Sequence, residues 1–252
     1  QATGSSLSYA TTIYRAAREL VLAGETRLGT LVCVESPTCT DIERVSRDVG
    51  SRLGFQPVYS AKTSLAQPDF TAECLGARNA GVQVLVISLD SNSITRVANS
   101  CARQGYHPRF TGIAQATTDR FKSDPNLSTM IWASNVFPYF EAGTPATDEF
   151  HAAVATYGKD VVLGWGVAAG WTAGKLFARA TARLPENPTR DDVLKGLWSI
   201  KDDDLGGLTG PLTFTEGRPA TPVFCWFDVS VRGQSWVSPD GFQRHCERPP
   251  RL

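Results

Sequence analysis

Along the first half of the chain the apolar positions alternate between two rhythms. Leu7, Ala10, Ile13, Tyr14, Ala17, Leu20 and Val21 recur at helical spacing behind the candidate capping residues Ser5 and Ser6, and Gly24 ends the run. A short apolar run, Leu28 to Val34, then reads as a strand. Thr40 and Glu43 follow with capping-box spacing, which predicts a helix from Thr40 to about Leu53. The couple repeats: strands at Val58–Thr63, Val82–Leu89, Arg109–Ile113 and Met130–Val136, with helices at Pro68–Ala80 and Ser93–Gln104.

Strands alternating with helices argue for a parallel sheet covered on both faces, because each crossover helix must pack back on the sheet. The fold class expected is therefore α/β, with a doubly wound lobe. Ligands of such sheets sit outside the carboxyl ends of the strands. That rule points to the loops Glu35–Thr40, Asp90–Ser93 and Ala114–Thr117.

After Phe137-Pro138 the rhythm changes. Helices are predicted at Thr147–Tyr157, about Gly166–Leu184 and Thr189–Trp198, with no strand between them. The end returns to strands at Pro211–Phe214, Phe224–Val231 and Ser235–Ser238, the last two joined across Arg232-Gly233 as a hairpin. Three successive helices without strands either cap the first lobe or belong to a second lobe whose sheet is largely missing.

Composition narrows the function classes. The 252 residues carry 25 basic and 25 acidic side chains, so no bulk field favours nucleic acid, and nucleic acid is not expected as a partner. Lys175 breaks the longest apolar run, Val161–Phe177, short of a membrane span. The chain begins at Gln1, which suggests a processed product or an excerpt. Six cysteines permit fifteen fully paired connectivities, of which sequence order suggests Cys33–Cys39, Cys74–Cys101 and Cys225–Cys246, and such pairing would imply an oxidising compartment. Zinc is the weaker reading, since no CxxC occurs and only His245 lies beside a cysteine; no metal is expected.

Two motifs imitate chemistry. Gly164-x-Gly166-x-x-Ala169 after Val161-Val162-Leu163 resembles a dinucleotide fingerprint, which would make the protein an NAD-dependent oxidoreductase. The acidic strand end that should follow is instead the loop Leu184–Pro188, so the small residues are read as allowing close approach of a neighbouring element. Asp202-Asp203-Asp204 lacks the ligand alternation of a calcium loop and reads as a solvated acidic turn. Neither a P-loop nor a nucleophile elbow is present, and no catalytic residue is proposed. Asp90-Ser-Asn-Ser93 opens a helix at a strand's carboxyl end, where backbone N–H groups and the dipole suit a carboxylate.

Several phrases, taken in order, resemble one family: Asp69-Phe70 opening a helix that holds Cys74, Ala80-Gly81 before Val82–Val86, Gln104-Gly105-Tyr106, and Gly210-Pro211-Leu212-Thr213-Phe214. The chain is similar to the type I periplasmic binding proteins, and within them to the branched-chain amino acid group of ABC transporter receptors. The resemblance implies two lobes with a small polar ligand closed between them. Residues 1–136 and 220–252 would form the C-terminal-type lobe and 138–218 the returning, incomplete part of the N-terminal-type lobe. The stretch that carries most of that lobe's sheet in the family would precede the first helix here.

The family's contacts fall on loops matching Ser36, Thr38 and Cys39, then Asp90, Ser91 and Asn92, then Ala114, Gln115 and Thr117. Leucine-type receptors place a tyrosine where Cys39 aligns, an aromatic near Ser91 and an acidic residue near Ala114, so the ligand class stays open among amino acids, amides and organic or aromatic acids. The expectation is a bacterial, extracytoplasmic solute-binding protein, secreted or lipid-anchored. It needs no cofactor, catalyses nothing and delivers its ligand to a membrane permease. A sensory ectodomain of the same fold is the alternative that shares every one of these residues.

Overall fold

A computed structural model describes residues 5–251 of the chain. It divides into two compact units, a larger one of residues 5–134, 228–239 and 250–251, and a smaller one of residues 135–227 and 240–249. The architecture is mixed α/β, as the alternating rhythm requires.

In the larger unit, helix α1 (Ser5–Ala16) continues as a wider π-turn through Ala17–Val21 and stops at Gly24, whose φ of +82° suits glycine. The side chains of Ser5 and Ser6, expected as caps, lie outside those described. Strand β1 (Arg27–Cys33) is buried at every position after its first, and β3 (Val84–Ser88) is buried throughout. Continuous apolar strands of this kind belong in the middle of a parallel sheet, where both faces are covered. Accordingly β1 lies between β2 (Gln56–Thr63) and β3, and β4 (Arg109–Ile113) and β5 (Ile131–Ser134) follow in parallel. The order is β2-β1-β3-β4-β5, extended by β6 (Cys225–Arg232) and β7 (Ser235–Val237), which form an antiparallel hairpin. Gly233 and Gln234 turn that hairpin with positive φ at both.

The helices are amphipathic and pack in pairs: α1 on α2 (Pro37–Arg52), and α3 (Thr71–Asn79) on α4 (Ser91–Arg103). Right-handed crossovers explain this, because the chain leaves β1 toward β2 and leaves β3 toward β4 in opposite directions, so α2 and α4 settle on opposite faces. Gly29, beside the register shift in β1, allows the tight packing beneath. A Cβ there would lie 2.9 Å from both methyl carbons of Val82.

One expected helix start is corrected. Helix α2 begins at Pro37 with Ser36 as its cap, so Thr40 lies inside it and the predicted Thr40–Glu43 box does not form. Proline's fixed φ and missing N–H suit the first helical position, and they move the start forward. Glu43 instead accepts from Ser60 at 2.6 Å and pairs with Lys62 at 3.2 Å.

The smaller unit holds α5 (Pro145–Tyr157), α6 (Trp165–Thr181) and α7 (Arg190–Trp198). Thr144 and Thr189 cap α5 and α7 with reciprocal capping boxes. An aromatic cluster forms its centre: Phe137 meets Phe150 edge-on at 5.0 Å, and Tyr139 meets Trp165 at 5.2 Å. Residues 225–227 of β6 pair with β8 (Arg244–Cys246), a strand that no pattern predicted because it is only three residues long. Pro211–Phe214, predicted as a strand, makes only an isolated bridge between Leu212 and Asp203 among the described residues.

All six cysteines pair as sequence order suggested, with no free thiol. Cys74–Cys101 ties α3 to α4, and its 27-residue separation would contribute about 3 to 4 kcal/mol by the chain-entropy estimate.

The larger unit also buries an ion pair. Arg15 of α1 reaches Asp228 of β6 at 2.9 Å, with both side chains at 6% exposure or less. The charges continue from Arg15 to Glu19 at 2.8 Å and from Glu19 to Arg109 of β4 at 3.1 Å. Removing one partner of such a pair leaves the other charge buried without compensation. Arg15→Met is therefore expected to lower the unfolding free energy by about 3 to 5 kcal/mol, measured by urea denaturation at neutral pH.

Candidate functional site

The strand order reverses between β1 and β3. From β1 the chain moves to β2 on one side, and from β3 it moves to β4 on the other. The loops leaving the two carboxyl ends therefore part and leave a crevice, the place where open α/β sheets bind ligands. The loop after β4 is the next neighbour, with adjacent strands roughly 5 Å apart. The nine residues singled out in the sequence lie on these three loops or in the first helical turns that follow them.

After β1, the Cys33–Cys39 disulfide joins the strand end to the first turn of α2, and both sulfurs belong to buried residues. Ser36 caps α2, its hydroxyl accepting from the Thr38 N–H at 3.3 Å. Thr38 is half-buried, and its hydroxyl makes no hydrogen bond among the described residues. Glu35 turns back onto its own unit and accepts from the Ser64 hydroxyl and the Leu65 N–H, each at 2.7 Å. The Ser64 bond, with the backbone bonds beside it, holds the Glu35 carboxyl below its usual pKa. Val34 is left 57% exposed at the rim, an apolar position that the predicted strand would have buried.

After β3, Asp90 caps α4, with its carboxylate accepting from the Asn92 N–H at 2.9 Å, the Ser93 N–H at 3.2 Å and the Ser93 hydroxyl at 2.6 Å. Partial burial pushes the Asp90 pKa up, but the bonds from Ser93 and Asn92 outweigh it and the net shift is down. Arg96 donates to Ser93 and to the Leu65 carbonyl, pinning the loop after β2 beside α4. Ser91 and Asn92 open the helix, and their side chains make no hydrogen bond among the described residues. Behind the crevice, Tyr9 bonds to the Ser88 side chain, and burial pushes its phenol up to about 12.

After β4, Ala114–Ala116 forms one 3-10 turn in which Ala114 is fully buried. Thr117 closes the turn by donating to the Ala114 carbonyl at 2.8 Å, and exposed Gln115 donates to the Ser134 hydroxyl at 3.4 Å. Ser36, Cys39, Asp90 and Ala114 thus shape the loops, whereas Thr38, Ser91, Asn92 and Gln115 present neutral polar groups. Both rim carboxylates, Glu35 and Asp90, are already taken up by the unit's own N–H and O–H donors. The sequence reading passed over Val34 and the Glu35 latch; a charged residue directly after an apolar run was the available signal for the latch.

The other motifs find other uses. Val161–Leu163 forms no strand, so the Gly164–Ala169 pattern lacks the βαβ setting of a dinucleotide site. Nor do its glycines serve close packing: a Cβ at Gly164, Gly166, Gly170 or Gly174 would meet nothing within 4 Å. Asp203 and Asp204 pair with Arg179 at 2.9 Å and Arg244 at 3.1 Å, so the acidic turn is tied down within its unit. No helix among the described residues is long and apolar enough to cross a membrane.

Comparison with known proteins follows from this geometry. The family model described as "Periplasmic binding protein" matches residues 4–234. Among solved structures, a fatty acid ABC transporter substrate-binding protein from Thermomonospora curvata is similar with a TM-score of 0.75 and 18% identity, covering 95% of this chain and 63% of its own. A branched-chain amino acid ABC transporter protein from Thermus thermophilus with bound valine gives 0.73 and 17%, covering 98% and 66%. A solute-binding protein of an ABC transporter from R. palustris, in complex with benzoate, gives 0.72 and 10%, covering 98% and 66%. At these identities the likeness is one of fold. The chain spans about two thirds of the length of these structures. No curated protein matched its sequence.

The Glu35 latch and the Asp90 cap make acid stability testable. Glu35 and Asp90 have folded pKa values below the ordinary carboxylate range, so each contributes stability that is present above about pH 4 and is lost as pH falls through the folded values. The double variant Glu35→Gln, Asp90→Asn should be less stable than wild type near pH 6, and the gap should close on acidification. Urea unfolding across a pH series checks this; a gap independent of pH contradicts it.

Proposed function

This chain belongs to the periplasmic binding protein family, and we propose that it is the ligand-holding part of an extracytoplasmic solute-binding protein serving an ABC transporter. The observation that carries the proposal is the crevice at the β1/β3 reversal, where Thr38, Ser91, Asn92 and Gln115 present neutral polar side chains beside a capped helix start. Such groups recognise a small molecule by hydrogen bonds and perform no chemistry on it, so the ligand is bound and released unchanged. Its partner is the membrane permease, and the three disulfides suit an oxidising compartment outside the cytoplasm.

The ligand is an amino acid, an amide or an organic or aromatic acid. The valine and benzoate bound by two of the relatives share a carboxylate. In this chain the Asn92 and Ser93 N–H groups of α4 are already taken by the Asp90 carboxylate, so the Ser91 hydroxyl and the Asn92 amide at that first turn are the groups that hydrogen-bond a ligand carboxylate. The rigid Cys33–Cys39 loop and exposed Val34 form the wall for the apolar remainder.

The test is a thermal-shift and calorimetric screen of amino acids, amides, and aliphatic and aromatic acids against the protein as its own cells produce it. At least one class should raise the melting temperature, with stabilisation of about 2.7 kcal/mol at a hundred times Kd. The variant Ser91→Ala, Asn92→Ala should lose that response while melting at the unliganded temperature of wild type. A screen in which no class stabilises the protein contradicts the reading.

A further inference from the structure

The segment after β2, residues 64–70, is none of the three crevice loops, yet it is bonded to two of the elements that form them. In the order β2-β1-β3 the chain leaving β2 must pass β1 to reach β3, so its exit segment runs beside the loops that leave those two strands. Leu65 is where it meets them. Its N–H donates to Glu35 Oε1 at 2.7 Å, on the side of the loop after β1. Its carbonyl accepts from Arg96 Nη2 at 2.7 Å, on the side of α4. One half-buried residue therefore holds both through its backbone. Both bonds involve an ionised side chain, and such bonds are about twice as strong as neutral ones.

Each arm is fixed at its far end. Glu35 uses both carboxylate oxygens: Oε1 also accepts from the Ser64 hydroxyl at 2.7 Å, and Oε2 accepts from the Val34 N–H at 3.2 Å. On the other arm Arg96 also donates to the Ser93 hydroxyl at 2.8 Å, and that fully buried serine donates to Asp90 Oδ2 at 2.6 Å. The Arg96 guanidinium lies 5.8 Å from the centre of the fully buried Phe70 ring, whose face holds the cation where it reaches Leu65. Between the arms the segment braces itself. Thr63 Oγ1 donates to Gln67 Oε1 at 2.7 Å, and Gln67 Nε2 donates to the Asp69 carbonyl at 2.6 Å and to Glu73 at 2.9 Å.

We propose that the Leu65 backbone is the spacer that sets the gap between Thr38 and the Ser91–Asn92 pair, and that Glu35 and Arg96 are positioning residues that act on the ligand through Leu65. This rests on the crevice being the ligand site. Thr38 stands three residues beyond Glu35, and Ser91 and Asn92 stand directly before Ser93, so the distance between these binding groups follows from the bonds beneath them. The two arms work only together. Breaking either one frees its loop from Leu65 and leaves the other arm anchored to nothing across the crevice, so the effects of Glu35 and Arg96 are coupled and do not add.

Arg96→Met, Glu35→Ala and the double variant test it in the protein as its own cells produce it. Amide hydrogen exchange is followed first, without ligand. Arg96→Met should speed exchange at residues 35–40, on the opposite arm, as well as at 90–93. Glu35→Ala, at an exposed side chain that the fold tolerates, should speed it at 90–93 as well as at 35–40. The double variant should exchange no faster than the faster single variant. Loosening confined to the loop that carries each change overturns the inference. Valine, benzoate and octanoate then serve as calorimetric probes. A probe that binds wild type should bind each single variant about ten-fold more weakly and the double variant no weaker still, a loss within the coupling found inside one hydrogen-bond network. Wild-type affinity in the single variants, or losses that multiply in the double, also overturns it. Failure of all three probes to bind wild type counts instead against a carboxylate ligand, and the exchange pattern still decides whether Leu65 is the spacer.

Discussion

The structure depends on the burial of β1 and β3 side by side at the centre of a parallel sheet. Both strands are apolar along nearly their whole length, so each needs a helical layer on either face. Right-handed crossovers then send α2 and α4 to opposite faces, and the loops after β1 and β3 must part. The crevice is therefore a consequence of how the core is satisfied. The chain's task is to decorate and stiffen it.

Stiffening is done largely with covalent and charge-assisted contacts. The Cys33–Cys39 bond shortens the loop after β1, Glu35 holds that loop to the segment after β2, and Arg96 holds the same segment to α4. Asp90 uses its whole carboxylate on the first turn of α4. These contacts satisfy the backbone groups that loop and helix ends leave open. What remains facing outward is neutral, which suits a binding surface built for hydrogen bonding and not for bond breaking. The buried Arg15–Asp228 pair fastens α1 to β6 in the same unit.

Much of this was legible in the sequence, and the parts that were not have identifiable causes. The strand–helix alternation, the strand Arg109–Ile113 and the pairing of all six cysteines came directly from apolar period and cysteine order. The start of α2 did not, because the Ser36-Pro37 signal competes with Thr40–Glu43 and proline at the first helical position prevails. Pro211–Phe214 has the composition of a strand but pairs with loop residues on either side, at Ile200, Asp203 and Thr221, and so forms one isolated bridge and no ladder, since a strand is a property of its partners. The glycines of α6 pointed to close packing, and their surroundings are empty because helix spacing does not reveal whether a neighbour is present. Loop positions could be read from the topology rule, whereas the division of labour within them could not. Only the hydrogen bonds separate Asp90, which caps, from Ser91 and Asn92, which face outward.

The central claim is that the crevice at the β1/β3 reversal holds the ligand. Hydrogen exchange with and without a stabilising ligand tests it most directly, since it reports which backbone amides the ligand protects. The account predicts slowed exchange confined to the larger unit's loops at residues 34–40, 89–93 and 114–117. Slowed exchange centred on α5 and α6, with those three loops unchanged, would contradict it.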